Sequence, residues 1–132
     1  MRDDLLKLLL RCTPALLMLP HGIAKLSKGV GGIAERLEDA GLPGFIAYGV
    51  YVGEIVAPIF MVLGFKARAA AAVFAFNMVV AVALVHAGDV FKLGKGGSWA
   101  LEPHALYFFF AVAVVLAGSG RYSVSKGQGR LD

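Results

Sequence analysis

Four long apolar segments alternate with short polar connections along this chain of 132 residues. A helix that crosses a lipid bilayer needs about 20 consecutive, mostly apolar residues. The segments at 5–24, 45–64, 67–87 and 100–118 reach about that length as continuous blocks rather than as one-sided stripes. The pattern therefore predicts an all-α fold, namely a transmembrane four-helix antiparallel bundle.

A shorter segment between the first two spans has a different pattern. The stretch "GGIAERLEDAGLPG" alternates apolar residues with charges, which predicts a short interfacial amphipathic helix over residues 31–41. Polar residues 119–132 follow the last span as a C-terminal tail. Because no linker is long enough to separate two units, we expect residues 1–132 to form a single membrane domain.

Composition supports the membrane interpretation. Hydrophobic residues make up 58% of the chain and charged residues 17%, whereas soluble domains average about 45–50% and 25%. A chain this short cannot bury so much apolar surface in a core of its own. The net charge is +4, but the basic residues form no face interleaved with aromatic residues, so a nucleic-acid partner is excluded. A single cysteine, Cys12, excludes a disulfide relay within the chain.

The basic residues also predict an orientation, because Lys and Arg are enriched on the cytoplasmic side of membrane proteins. Eight of them flank the side that holds both termini, and five flank the other side. We therefore expect a multi-pass protein of a bacterial-type inner (plasma) membrane, with N- and C-termini in the cytoplasm and lipid as its surroundings.

Polar side chains within the spans are the candidates for function. An ionisable group in a bilayer costs about 2.5–3.5 kcal/mol on insertion scales, so each one needs a partner or a purpose. The predicted ligand-binding set comprises Arg11, His21, Gly22, Lys25, Glu54, Asn77, His86, Glu102 and His104.

Helical spacing predicts how this set is arranged. Arg11, His21 and Lys25 share one stripe of the first span, and Glu54 lies near the middle of the second. We expect Arg11 to pair with Glu54 at mid-depth, and His21 and Lys25 to form the outer lip of a pocket floored by Glu54. Glu54 and Glu102 are candidate proton-exchanging residues. The spacing leaves open whether Glu102 or His104 faces the pocket.

Two simpler interpretations stand beside the ligand site. In the first, the pair of Arg11 and Glu54 only fixes the helix register, and the outer His and Lys are solvated. In the second, His and Glu side chains bind a metal. No H-x-x-x-H or E-x-x-H pair is present, so we predict no metal site.

Several stretches together resemble one family of small membrane proteins. "LLLRCTPALLMLPHGIAKL", "LEDAGLPG", "GEIVAPIFMVLGFKARAAA", "GGSWALEP" and "AGSGRYSVS" are similar, in that order, to the elements of the DoxX family. The resemblance implies a four-helix membrane bundle. It marks as family-like polar positions Arg11, His21, Gly22, Lys25, Glu54, His86, Glu102 and Arg121. Some DoxX relatives are linked to respiratory or sulfur redox chemistry, such as the membrane subunit of a thiosulfate:quinone oxidoreductase, and others to oxidative-stress defence.

Three functions are compatible with these observations. The first is a redox-associated subunit that binds a quinone, or a similar small ligand, and depends on a soluble or membrane redox partner or a bound cofactor for electrons. If the protein is an enzyme at all, it is then part of an oxidoreductase. The second is a non-enzymatic scaffold or assembly subunit for a partner complex. The third is a small-molecule or proton transporter, which four short helices allow only if the chain forms a homo-oligomer.

Overall fold

The computed structural model describes all 132 residues and contains five helices and no β-strand. The helices are α1 (Arg2–Lys28), α2 (Gly31–Asp39), α3 (Gly44–Leu63), α4 (Ala67–Val85) and α5 (Glu102–Ala117). A 3₁₀ turn, Ala87–Asp89, follows α4. The predicted all-α class is confirmed, and α2 occupies the segment expected to be amphipathic.

The four long helices form a closed ring. Helix α1 packs against α3 and α5, and α4 also packs against α3 and α5, while α2 lies across the start of α3 and touches α4. Small and flexible side chains fill the centre. The fully or nearly fully buried core includes Ala15, Met18, Met61, Ala71, Phe74, Met78, Ala111 and Val114. Alanine at so many core positions allows the helices to approach closely.

Length and hydropathy single out two of these helices as candidate membrane spans. Helices α3 and α4 are long and apolar enough, whereas α5 is apolar but shorter and α1 carries charges at both ends. Large apolar side chains point outward all the same: Leu9, Phe76 and Phe109 are 64%, 69% and 67% exposed. Such a surface suits lipid rather than water. The four-span arrangement remains a prediction.

Helix α3 is irregular in a way that the sequence explains. It opens with a 3₁₀ turn, Gly44–Tyr48, and widens into a π-helical turn at Val52–Val56 before it continues as regular α-helix over Ala57–Leu63. Pro58 has no backbone N–H, so the carbonyl of Glu54 loses its usual α-helical donor. The wide turn lies directly before this proline and contains Glu54. Such turns are frequent at functional sites.

Arg11 connects α1 to the ends of two other helices. Its guanidinium is 1% exposed. It donates hydrogen bonds to the carbonyls of Met61 (2.7 Å) and Val62 in the last turn of α3. It also donates to the carbonyls of Ser119 (3.1 Å) and Tyr122, just beyond α5. The last carbonyls of a helix lack partners within the helix and carry partial negative charge, so this cation caps the end of α3 and binds the start of the tail that follows α5.

The C-terminal tail completes the same junction. The backbone N–H of Val124 donates to the carbonyl of Leu63 (2.9 Å), and the hydroxyl of Ser125 donates to the carbonyl of Gly64 (2.7 Å). Gly64 ends α3 in the left-handed conformation, with φ of 67°. The tail is therefore bound to the bundle along the end of α3 instead of leaving it.

The predicted pairing of Arg11 with Glu54 is wrong. Glu54 lies seven residues before Met61, about 10 Å further along the axis of α3, and its carboxylate binds Lys25 instead. Arg11 extends the other way, toward carbonyls that helix geometry leaves unsatisfied. Helical spacing gave the correct face of α1 but not the direction in which this long side chain extends.

Replacing Arg11 with Met should destabilise the protein strongly. The buried carbonyls would lose a charged donor, and hydrogen bonds to charged groups contribute about 1.5–3 kcal/mol each. We expect thermal unfolding in detergent to begin many degrees lower, with the tail cleaved faster by protease. Arg130→Met removes the same charge from an exposed tail position and should behave like the wild type. Equal stability of the two variants would contradict the assigned role of Arg11.

Candidate functional site

A buried ion pair joins α1 to the wide turn of α3. The ammonium group of Lys25 lies 2.6 Å from Oε1 of Glu54. The Lys25 side chain is 34% exposed and the Glu54 side chain 5%, so the pair reaches from the C-terminal end of α1 into the bundle. The hydroxyl of Tyr51 donates to the carbonyl of Lys25 at 3.1 Å and holds the last turn of α1 against α3.

Two glycines allow the helices to meet at this level. A Cβ atom on Gly22 would lie 2.6 Å from Cγ1 of Ile55 and 2.7 Å from the carbonyl oxygen of Glu54. A Cβ atom on Gly53 would collide with the side chain of Asn77. The absence of side chains therefore brings α1, α3 and α4 together around Glu54. Gly49, four residues before Gly53, has open space around it and takes no part in this contact.

Three buried polar atoms around this junction have no hydrogen-bond partner. They are Oε2 of Glu54, Nδ2 of Asn77 and Nδ1 of His104. Buried polar groups in proteins are nearly always hydrogen-bonded. The amide nitrogen of Asn77 can only donate, the carboxylate oxygen of an ionised Glu54 can only accept, and the ring nitrogen of His104 does either according to its tautomer. The site therefore offers both donor and acceptor capacity.

Three histidines lie toward the same end of the bundle: His21 on α1, His86 directly after α4 and His104 on α5. The rings of His86 and His104 lie 4.5 Å apart between their centroids, and His104 is within electrostatic range of His21, Lys25 and Glu54. The ring of His21 is exposed and meets the ring of Tyr107 edge-on, with 6.5 Å between centroids. Three helices and the residue directly after α4 thus contribute titratable groups to one end of the bundle.

The structure brings together most of the predicted set but separates two members. His21, Gly22, Lys25, Glu54, Asn77, His86 and His104 belong to this outer polar cluster. Arg11 lies at the opposite end of the bundle. Glu102 is exposed, whereas His104 is half-buried and contacts His86. Of the two residues left open by the spacing, His104 is therefore the one that faces the cluster.

Glu102 lies instead on a groove between α1 and α5. This groove has a volume of about 230 Å³ and is lined by Thr13, Pro14, Leu17, Glu102, Pro103, Leu106, Tyr107 and Phe110. Tyr107 lines the groove and also contacts His21. No group of three or more His, Cys, Asp and Glu side chains is placed to hold a metal ion.

Two tyrosines of the site, Tyr51 and Tyr107, are absent from the set predicted from the sequence. Each lies three residues from a predicted site residue, Tyr51 before Glu54 and Tyr107 after His104. Side chains three apart share a helix face, so this spacing could have included them.

An acidic residue outside the membrane segments positions His86. Oδ2 of Asp89 lies 3.4 Å from Nδ1 of His86, and its other oxygen lies 3.3 Å from the ammonium of Lys92. Hydrogen bonds from Lys92 and then from His86 hold the pKa of Asp89 below its ordinary value. The carboxylate thus stays ionised beside the ring of His86 over the whole neutral range.

A compact helical bundle with an apolar outer surface and a buried polar cluster at one end defines the class as a small integral membrane protein. Comparison with protein families is more specific, since the DoxX family profile matches residues 6–87. The chain belongs to the DoxX family. No curated protein and no solved structure is significantly similar to it. The match covers α1 to α4 and ends before the loop that leads to α5.

Gly22→Ala should disrupt the cluster, although alanine favours helix formation. The added methyl group has no room against Ile55 and the Glu54 carbonyl, and overpacking of this kind costs about 1–3 kcal/mol. We expect a lower unfolding temperature in detergent than for Gly49→Ala, whose methyl group meets nothing. Similar unfolding temperatures for the two variants would show that α1 and α3 are not in such close contact.

The Asp89 carboxyl should titrate below its ordinary pKa, and Lys92→Gln should move the titration upward. Because the folded pKa is lowered, the contacts of Asp89 stabilise the folded loop at neutral pH and are lost as the pH falls through that lowered value. Carboxyl chemical shifts of labelled Asp89, followed by NMR against pH, measure both effects. An unchanged midpoint in Lys92→Gln would assign the lowering to another group.

Proposed function

We propose that this DoxX-family protein crosses the inner membrane four times, with cytoplasmic termini, and binds the head group of a quinone or a similar carbonyl compound in the outer polar cluster. In this proposal it is a redox-associated subunit, and a partner protein or bound cofactor supplies or accepts the electrons. The family membership fixes the membrane setting, and the ligand is inferred from the chemistry of the cluster.

The observation that carries the proposal is the carboxylate of Glu54. It is 4% exposed and uses one oxygen for Lys25, while the other has no partner. Leaving a buried polar group unpaired costs about 1–3 kcal/mol, and more when the group is charged. A ligand that supplies the missing hydrogen bond recovers that cost as binding energy.

A quinone fits the donor and acceptor pattern of the cluster. Its carbonyl oxygen can accept from Nδ2 of Asn77, and the hydroxyl of the reduced form can donate to Oε2 of Glu54. When bound, the quinone would supply two-electron, two-proton redox chemistry. Glu54 would exchange a proton with the ligand, and the ammonium of Lys25 would balance the negative charge of the ionised carboxylate.

Histidines at the outer end complete a short proton path in this proposal. His104 contacts His86, and His86 contacts the exposed Asp89–Lys92 pair. Protons would pass between the ligand and the outer aqueous phase through these side chains, without crossing the bundle. Glu102, which faces the lateral groove, is assigned no proton transfer with the bound ligand.

The proposal is tested by measuring whether a short-chain quinone analogue stabilises the purified protein. A ligand at a concentration of 100 times its Kd adds about 2.7 kcal/mol to the free energy of unfolding. We expect the analogue to raise the unfolding temperature of the wild type by several degrees. For Glu54→Gln we expect apparent affinity to fall about tenfold, the effect of losing about 1.4 kcal/mol of binding free energy.

Glu35→Gln is the matched control, because Glu35 is an exposed glutamate on α2. It should bind the analogue like the wild type. If the analogue leaves the unfolding temperature unchanged, or stabilises Glu54→Gln as well as the wild type, the cluster is not a quinone site. The scaffold interpretation would then be favoured, with Lys25 and Glu54 serving only to hold α1 against α3.

A further inference from the structure

A second polar cavity lies at the opposite end of the bundle from the outer cluster. It has a volume of about 260 Å³ and its lining is almost wholly polar. Four cationic side chains converge on it: Lys7 from α1, Arg68 from α4, and Arg121 and Lys126 from the tail. We refer to it as the basic cavity.

The acidic residues of the basic cavity are already engaged by the fold. Asp4 accepts a hydrogen bond from the backbone N–H of Arg121 at 3.0 Å. Asp132 accepts one from the backbone N–H of Lys66 at 2.6 Å, and its main-chain oxygen accepts from Nε of Arg68 at 2.7 Å. These contacts hold the tail in place, so the two carboxylates form the wall of the cavity.

Three of the four cations, by contrast, make no direct ion pair. The hydrogen bond from the Arg121 N–H lowers the pKa of Asp4, and the charges of Arg121 and Lys7 lower it further, so these two cations attract Asp4 without contacting it as an ion pair. Lys7, Arg121 and Lys126 form no ion pair with any carboxylate. The side chain of Lys7 packs its stem against Gly120, where an added Cβ would lie 3.1 Å from the Cβ of Lys7. Gly120 has a φ of 76°, which a side chain would strain, so the tail turns closely around this lysine.

The position of the basic cavity indicates what would enter it. It lies where α1 begins and α5 ends, and the same ends of these two helices carry the exposed apolar side chains of Leu9 (64%) and Leu116 (74%). A cationic recess at the edge of a lipid-facing surface suits a group with an anionic head and an apolar body. Basic pockets between transmembrane helices bind phospholipid head groups in this way.

We propose that the basic cavity binds a phosphate group, and that an anionic phospholipid of the surrounding leaflet supplies it. The phosphate oxygens would accept hydrogen bonds from Lys7, Arg121 and Lys126. The site would join α1 to the tail and thereby reinforce the junction that Arg11 makes. It is independent of the quinone proposal, because it shares no residue with the outer cluster.

The test compares phosphatidylglycerol, phosphatidylcholine and inorganic phosphate as additions to the protein in neutral detergent at constant ionic strength. We expect phosphatidylglycerol to raise the unfolding temperature more than phosphatidylcholine does. Lys7→Gln/Arg121→Gln/Lys126→Gln should weaken the apparent affinity for phosphatidylglycerol at least about tenfold, since each basic residue near an anionic lipid surface contributes about 1 kcal/mol. These side chains make no ion pair in the fold, so the variant should remain folded.

A matched triple variant removes the same charge from exposed positions at the other end: Lys28→Gln/Arg36→Gln/Lys95→Gln. It should retain the affinity of the wild type. If inorganic phosphate stabilises the protein and phosphatidylglycerol does not, the basic cavity is still a phosphate site, but its ligand is a free anion and not a lipid. The proposal would be overturned if both triple variants lost the same affinity for phosphatidylglycerol. It would also be overturned if neither phosphatidylglycerol nor inorganic phosphate raised the unfolding temperature.

Discussion

The hydrogen bonds of one arginine to backbone carbonyls determine how this small bundle is closed. Arg11 reaches from α1 to the last turn of α3 and to the residues after α5, so two helices and the tail meet at one guanidinium. No carboxylate is bound there, because the carbonyl end of α3 supplies partial negative charge and two tail carbonyls accept the remaining hydrogen bonds. With this end fixed, α1 cannot slide along α3. The contact of Gly22 with the Glu54 carbonyl is thereby held in register at the other end.

At that other end, one proline generates much of the local geometry. Pro58 denies the Glu54 carbonyl its usual donor, and the turn before it widens to a π-helical one. Glu54 is thereby presented at the level where Gly22 and Gly53 allow three helices to converge. Two of the three unpartnered polar atoms, on Glu54 and Asn77, belong to residues at this convergence.

How much could be predicted from the sequence differs between backbone and side chains. Hydropathy placed the helices, since a run of apolar residues is a local property: the second block was expected at 45–64, and α3 covers Gly44–Leu63. The face shared by His21 and Lys25 also followed from spacing. The ion-pair partner of Glu54 could not be predicted from spacing, because Lys25 and Arg11 both have long side chains on the same face of α1. The choice depends on the packed fold, in which Arg11 binds carbonyls at the end of α3 and in the tail. The folding-back of the tail depends on contacts such as that of Val124 with Leu63, which no local pattern reveals.

Between the two polar ends lies a layer of alanine, methionine, phenylalanine and valine that contains no charge. This layer acts as an electrical insulator. The buried core residues of the layer have no ionisable side chain that would pass a proton from Glu54 toward Arg11. Proton exchange at the proposed ligand site would therefore take place on one side of this layer only.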